Sequence, residues 1–101
     1  MEVAHSKNGV PIRLTQERWF HITEEHSEMA GHFFEVLEAV EDPEAIYEGG
    51  REELIATREV EPGKHLIVIY KELSKSDGFV ITAFLTTRIK QIERRRRLWP
   101  R

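Results

Sequence analysis

The clearest hydrophobic pattern in the chain is Met29, Phe33, Val36, Leu37 and Val40, spaced i, i+4, i+7, i+8 and i+11. That spacing lays one apolar stripe along a helix, with Glu35, Glu38 and Glu41 on the other side. Ser27 is the expected N-cap. Asp42-Pro43 should end the helix, because a residue ahead of proline avoids helical dihedrals. An earlier helix is expected over residues 16–25, capped by Thr15, with Trp19 and Ile22 one turn apart on a face that can be buried.

After Pro43 the period changes. Ile46-Tyr47 extends towards Gly49-Gly50, and residues 53–60, 64–73 and 78–86 alternate with period two and are rich in Ile, Val, Thr and aromatics. Glu61-Pro62-Gly63 and the Ser74 to Gly78 stretch are short enough to join antiparallel neighbours. The last two strands are apolar at both parities, which favours central positions in a sheet. Residues 1–9 read as a flexible lead-in, and Pro11 limits residues 10–14 to a short edge strand or an extended arm. Residues 88–99 read as a closing helix with Ile89, Ile92, Arg96 and Trp99 along one side. The expected fold is α+β: two N-terminal helices followed by a four-stranded antiparallel β-meander and a C-terminal basic helix. It forms one domain, 1–101, with a basic tail over 86–101.

Composition narrows the setting. A chain of 101 residues buries roughly 60–70% of its unfolded surface as one domain. No apolar run approaches the ~20 residues of a membrane span, and the polar N-terminus lacks the apolar core of a signal peptide. A cytoplasmic protein without membrane association is expected, as a monomer or a small oligomer such as a homodimer. The absence of cysteine removes disulfides, thiolate metal sites and thiol nucleophiles. The net charge of −3 is unevenly spread. Residues 86–101 hold seven basic side chains against Glu93, and the remainder of the chain carries −9. A basic terminal segment on an acidic body suits nucleic acid or an acidic protein partner. It also suits a solvated helix whose arginines pair with the chain's own glutamates.

The candidate chemistry begins with Arg18 and His21, one turn apart on the first helix. An always-charged donor fork beside a ring that titrates near neutrality suits phosphate chemistry. An ordinary amphipathic helix edge has the same look. His21, His26 and His32 are five and six residues apart, which does not set two rings on one helix face as a zinc pair requires. His5 and His65 read as exposed. No glycine loop with a following lysine and hydroxyl is present to cradle phosphate, and Ser6, Ser27, Ser74 and Ser76 fall at caps or turns. What remains is a metal-free and cofactor-free acid–base set. His21 and His26 can move protons, Arg18, Arg58, Lys71 and Arg88 can supply positive charge, and Thr82, Thr86 and Thr87 offer hydroxyls near the last strand.

The pattern Leu14-Thr15-x-x-Arg18-x-x-His21-Ile22-x-x-x-His26-x-Glu28, then Asp42-Pro43-x-x-Ile46, then Leu66 to Lys71 and Gly78 to Phe84, resembles the phage-type nucleases of the barnase–EndoU–colicin–RelE superfamily. The resemblance covers about residues 12–90 and implies two N-terminal helices followed by a four-stranded antiparallel meander. It also implies a metal-independent ribonuclease of the kind used as a toxin or in phage and mobile-element conflict. It puts Arg18, His21 and His26 on the helical side of a cleft and Lys71 and Thr82 on the sheet. Ser27 stands where that family often has proline, and Arg94 to Arg97 lie outside the pattern.

The expected function is therefore a small toxin-type endoribonuclease, with RNA as substrate and an antitoxin or acidic protein as a further partner. The expected catalytic set is Arg18, His21, His26, Lys71 and Thr82. Arg58, Thr86, Arg88, Arg94 and Arg95 are the expected substrate-binding residues. The alternative is a catalytically inactive module that grips nucleic acid or protein through its arginine-rich C-terminal segment.

Overall fold

A computed structural model describes all residues, Met1 to Arg101. The elements run β1 (Glu2–His5), β2 (Pro11–Leu14), α1 (Gln16–Glu25), a 3-10 turn (Ser27–Met29), α2 (Phe33–Glu41), β3 (Ala45–Glu48), β4 (Leu54–Glu61), β5 (Lys64–Ser74), β6 (Asp77–Thr86), α3 (Ile89–Glu93) and β7 (Arg97–Trp99). All strands join one seven-stranded mixed sheet in the order β1-β2-β6-β5-β4-β3-β7. The chain remains α+β, but the expected layout is corrected in strand number, strand order and helix arrangement.

Three local causes account for the correction. The first fourteen residues form a hairpin instead of a lead-in and arm. Ser6 N–H donates to Val10 O at 2.9 Å and Gly9 N–H to Ser6 O at 2.8 Å, which closes the β1–β2 turn. β2 then lies parallel to β6, pairing Ile12 with Gly78 and Arg13 with Phe79. Pro11 opens the strand at a position where β6 asks nothing of its missing N–H. Arg13 locks the parallel pair by a two-point grip on Asp77, Nε to Oδ1 at 2.8 Å and Nη2 to Oδ2 at 3.2 Å. Ala4, Val10, Ile12 and Leu14 are all buried, so this hairpin supplies part of the core.

The second helix is shorter than its apolar stripe. Met29 reaches the core from the 3-10 turn, and the chain breaks at Gly31, whose φ of 87° lies in the left-handed region. α2 restarts at Phe33, and Val36, Ala39 and Val40 are fully buried.

The closing helix is cut to five residues. A continued helix would bring Lys90 against Arg94 at i, i+4 and Arg94 against Arg97 at i, i+3, like-charge pairs that disfavour it. Arg94 ends α3, and the backbone turns back so that β7 pairs antiparallel with β3, Ile46 against Trp99 and Tyr47 against Arg97. Arg96 Nη2 reaches Glu48 Oε1 at 3.0 Å and holds the hook to β3.

The sheet has two unequal faces. α1 and α2 cover the face bearing Ala56, Leu66, Val68, Tyr70, Val80 and Ala83, which forms the main core with Ile22, Met29 and α2. The other face carries Tyr47, Ile55 and Ile67, against which Ile69, Phe84 and α3's Ile89 and Ile92 pack. Beyond Arg13, the outer edge of β6 has no strand beside it, and α1 and the 3-10 turn pack along it instead. No helix is long and apolar enough to cross a membrane.

Candidate functional site

His26 ends α1, its N–H donating to Ile22 O at 2.8 Å, and its backbone then leaves the helical region. This exit beside the free edge of β6 swings the imidazole onto Phe84, with ring centroids 5.6 Å apart and planes 34° apart. Phe84 pairs with Ile67, and Thr82 with Ile69, so both point to the sheet face away from α2. Lys71, two residues after Ile69 on β5, alternates onto the same face opposite Phe79. His26, Thr82 and Lys71 thus belong to one side of the sheet. The Glu28 carboxylate sits beside the imidazole, Oε2 to Nδ1 at 3.9 Å.

Arg18 and His21 are exposed on α1. Neither side chain enters an ion pair, and the His21 ring meets only Phe20, centroids 6.0 Å apart. They share α1 with His26 but are not drawn onto the sheet face with it.

The expected substrate-binding residues separate into two groups. Arg58 faces α2, where it donates to the Asp42 carbonyl and pairs with Asp42 Oδ2 at 3.2 Å and Glu38 Oε1 at 3.5 Å. That contact ties the C-terminal end of α2 to β4, where positive charge is favourable. The Thr86 hydroxyl accepts from Arg88 N–H at 3.0 Å and shapes the entry to α3. Arg88 and Arg94 flank α3 with exposed side chains, and Arg95 makes one long hydrogen bond, 3.4 Å, to Glu48 O. His65 is not exposed as expected: it is half-buried, and its Nδ1 has no hydrogen-bond partner. No group of three or more His, Asp or Glu side chains is placed to hold a metal ion.

No protein-family model, curated protein or solved structure matches this chain. The functional reading therefore stands on the side chains themselves.

A cavity of about 500 Å³ lies on the helix-side face, at the far end from α1. Its floor is Ile46, Leu54 and Tyr70; the β1–β2 turn contributes Lys7 and Asn8, and the C-terminal hook contributes Arg96, Leu98, Trp99 and Arg101. The Lys7 ammonium stands 4.7 Å from the centroid of the Trp99 ring. Asn8 is anchored from behind, its amide donating to Glu72 Oε1 at 3.0 Å. Tyr70 is only 1% exposed. Burial, and then the neighbouring Glu72 carboxylate, push its phenol well above the ordinary value of about 10. Tyr47, on the other face, is raised by burial and by Glu93, with Arg97 pulling the opposite way.

The reading of the sequence missed Lys7, Asn8, Tyr70, Trp99 and Arg101 as neighbours. The hairpin that carries the first two was expected to be loose, and Trp99 was expected on a helix. Phe84 and Glu28 stand in the pattern that carries the resemblance, but their contacts with His26 were not anticipated.

Proposed function

We propose that this chain is a metal-independent endoribonuclease acting on cytoplasmic RNA. The observation that carries the reading is the His26–Phe84 contact, which sets an imidazole on the sheet face that bears Thr82 and Lys71. The reading also draws on the resemblance of residues 12–90 to phage-type nucleases, although the four-stranded layout which that resemblance implied is replaced by a seven-stranded mixed sheet.

The chemistry is an in-line transesterification. His26 takes the proton from a ribose 2′-hydroxyl as that oxygen attacks the adjacent phosphorus, and solvent protonates the departing 5′-oxygen. The P–O5′ bond breaks, leaving a 2′,3′-cyclic phosphate and a 5′-hydroxyl. Lys71 offsets the negative charge that builds on the pentacoordinate phosphorus, and the Thr82 hydroxyl donates to a non-bridging oxygen. The Glu28 carboxylate stands 3.9 Å from Nδ1 of His26, where its charge favours the protonated imidazole that forms as the ring takes the proton. Arg88, Arg94 and Arg95 hold the RNA backbone through their guanidinium groups.

Incubation with labelled RNA in excess EDTA tests the reading. Cleavage by the wild type that falls by about 10²–10⁴-fold in His26→Ala is the expected result. Intact RNA with the folded wild type overturns it.

A second reading rests on the exposure of Arg88 and Arg94 and the lack of an ion pair at either. As a non-catalytic binding module, the chain would leave RNA intact yet hold it with a steep salt dependence, reduced when those arginines are neutralised.

A further inference from the structure

We propose that the cavity between the β1–β2 turn and the C-terminal hook binds a nucleoside 5′-monophosphate, taken as a free nucleotide or as the phosphorylated 5′ end of an RNA strand. The site is distinct from the His26 face, since it lies on the other side of the sheet.

Its size is the first argument. A volume of about 500 Å³ falls within the range of small-molecule sites, and it suits one nucleotide better than a lone anion. The floor of Ile46, Leu54 and Tyr70 is apolar except for one atom. The Tyr70 hydroxyl makes no hydrogen bond within the chain and opens onto the cavity. A ligand that pairs with it adds a hydrogen bond that the chain itself does not supply. The hydroxyl both donates and accepts, which matches the mixed edge of a nucleobase.

The rim has the opposite character. Lys7, Arg97 and Arg101 line it without an ion pair, Arg96 stands beside them bound to Glu48, and no Asp or Glu side chain lines the cavity. Positive charge over an apolar, hydrogen-bonding floor calls for a ligand with an anionic end and a flat polar ring. Trp99 adds an aromatic wall, and aromatic rings serve bases of any identity as contact surfaces. The arginine fork is shaped for phosphate oxygens. Inorganic phosphate would meet the rim and leave the floor empty.

Titration of the protein with each of the four nucleoside 5′-monophosphates, and separately with inorganic phosphate, tests the site by indole fluorescence and calorimetry. Saturable binding of at least one nucleotide is expected, with quenching that persists in Trp19→Phe. Affinity should fall by about tenfold in Tyr70→Phe and in Arg101→Ala, while inorganic phosphate binds at least about tenfold more weakly. Arg101 is exposed and makes no ion pair, so its variant reads the site with little effect on the fold. His26→Ala should bind nucleotide as the wild type does, so failure of the nuclease reading leaves this result standing. Short RNAs bearing a 5′-phosphate or a 5′-hydroxyl separate the two sources: a preference for the phosphorylated strand over the free nucleotide assigns the site to RNA ends, and the reverse to free nucleotide. No saturation with any nucleotide, binding of phosphate as tight as nucleotide, or affinity unchanged in both Tyr70→Phe and Arg101→Ala overturns the proposal.

Discussion

The imidazole of His26 lies over the ring of Phe84 with centroids 5.6 Å apart. The contact joins a residue at the end of α1 to the last long strand, across the edge of β6 that has no strand beside it. Had β2 run the full length of β6, that edge would be filled and His26 would be held away from the sheet face. The short parallel pairing of Ile12 and Arg13 is therefore what admits the histidine.

The Glu28 carboxylate, 3.9 Å from His26 Nδ1, is expected to orient the ring. Glu28→Gln should lower kcat for RNA cleavage with little change in KM, and by less than the about 10²–10⁴-fold expected of His26→Ala. Steady-state kinetics on a short labelled RNA read both constants. A change confined to KM would mean that Glu28 acts on substrate binding instead.

Gly78 is required by close packing. A Cβ there would stand 2.6 Å from Ile12 Cδ1 and 2.6 Å from the Lys71 carbonyl oxygen, and the carbonyl belongs to the backbone. Gly78→Ala should destabilise the domain by about 1–3 kcal/mol, which thermal unfolding would show as a Tm lower by roughly 4–8 °C per kcal/mol. An unchanged Tm would mean that β2 and β6 separate without loss.

Much of the architecture is legible in the chain for a definite physical reason. Period two marks β4, β5 and β6 because they form a meander with short connections at Pro62-Gly63 and Lys75-Ser76, and both-parity apolar residues mark β5 and β6 as interior. The N-terminal hairpin is not legible. Its burial depends on a parallel partner more than sixty residues away, and four residues per strand are too few for periodicity to register. The C-terminal hook is hidden for a related reason: Ile89, Ile92, Arg96 and Trp99 have helical spacing, but the pairing of Trp99 with Ile46 and of Arg96 with Glu48 wins. At the candidate site, Thr82 and Lys71 share a face because strand alternation dictates it. The approach of His26 and the meeting of Lys7 with Trp99 are tertiary events without a local signature. Arg58 shows the converse, a cation that serves α2 through Glu38 and Asp42.

Tyr70 gives a pH prediction with a definite sign. Its phenol is raised in the folded state, by burial first and Glu72 second, relative to an ordinary value of about 10 in the unfolded chain. Below about pH 10 both states hold the proton, and the group adds no pH dependence. Above it the unfolded state releases the proton first, so stability falls as pH rises. Tyr47 shifts in the same direction. Tyr70→Phe should therefore show a shallower alkaline loss of stability than the wild type, read by urea unfolding on either side of pH 10. Equal slopes would mean that the hydroxyl is solvated in the folded protein.

The end groups of RNA fragments test the central claim most directly. Fragments produced by the wild type in EDTA, analysed by mass spectrometry, should carry a 2′,3′-cyclic phosphate on one side of the break and a 5′-hydroxyl on the other. Fragments ending in 3′-hydroxyl and 5′-phosphate, or an RNA left whole by folded protein, would contradict the account.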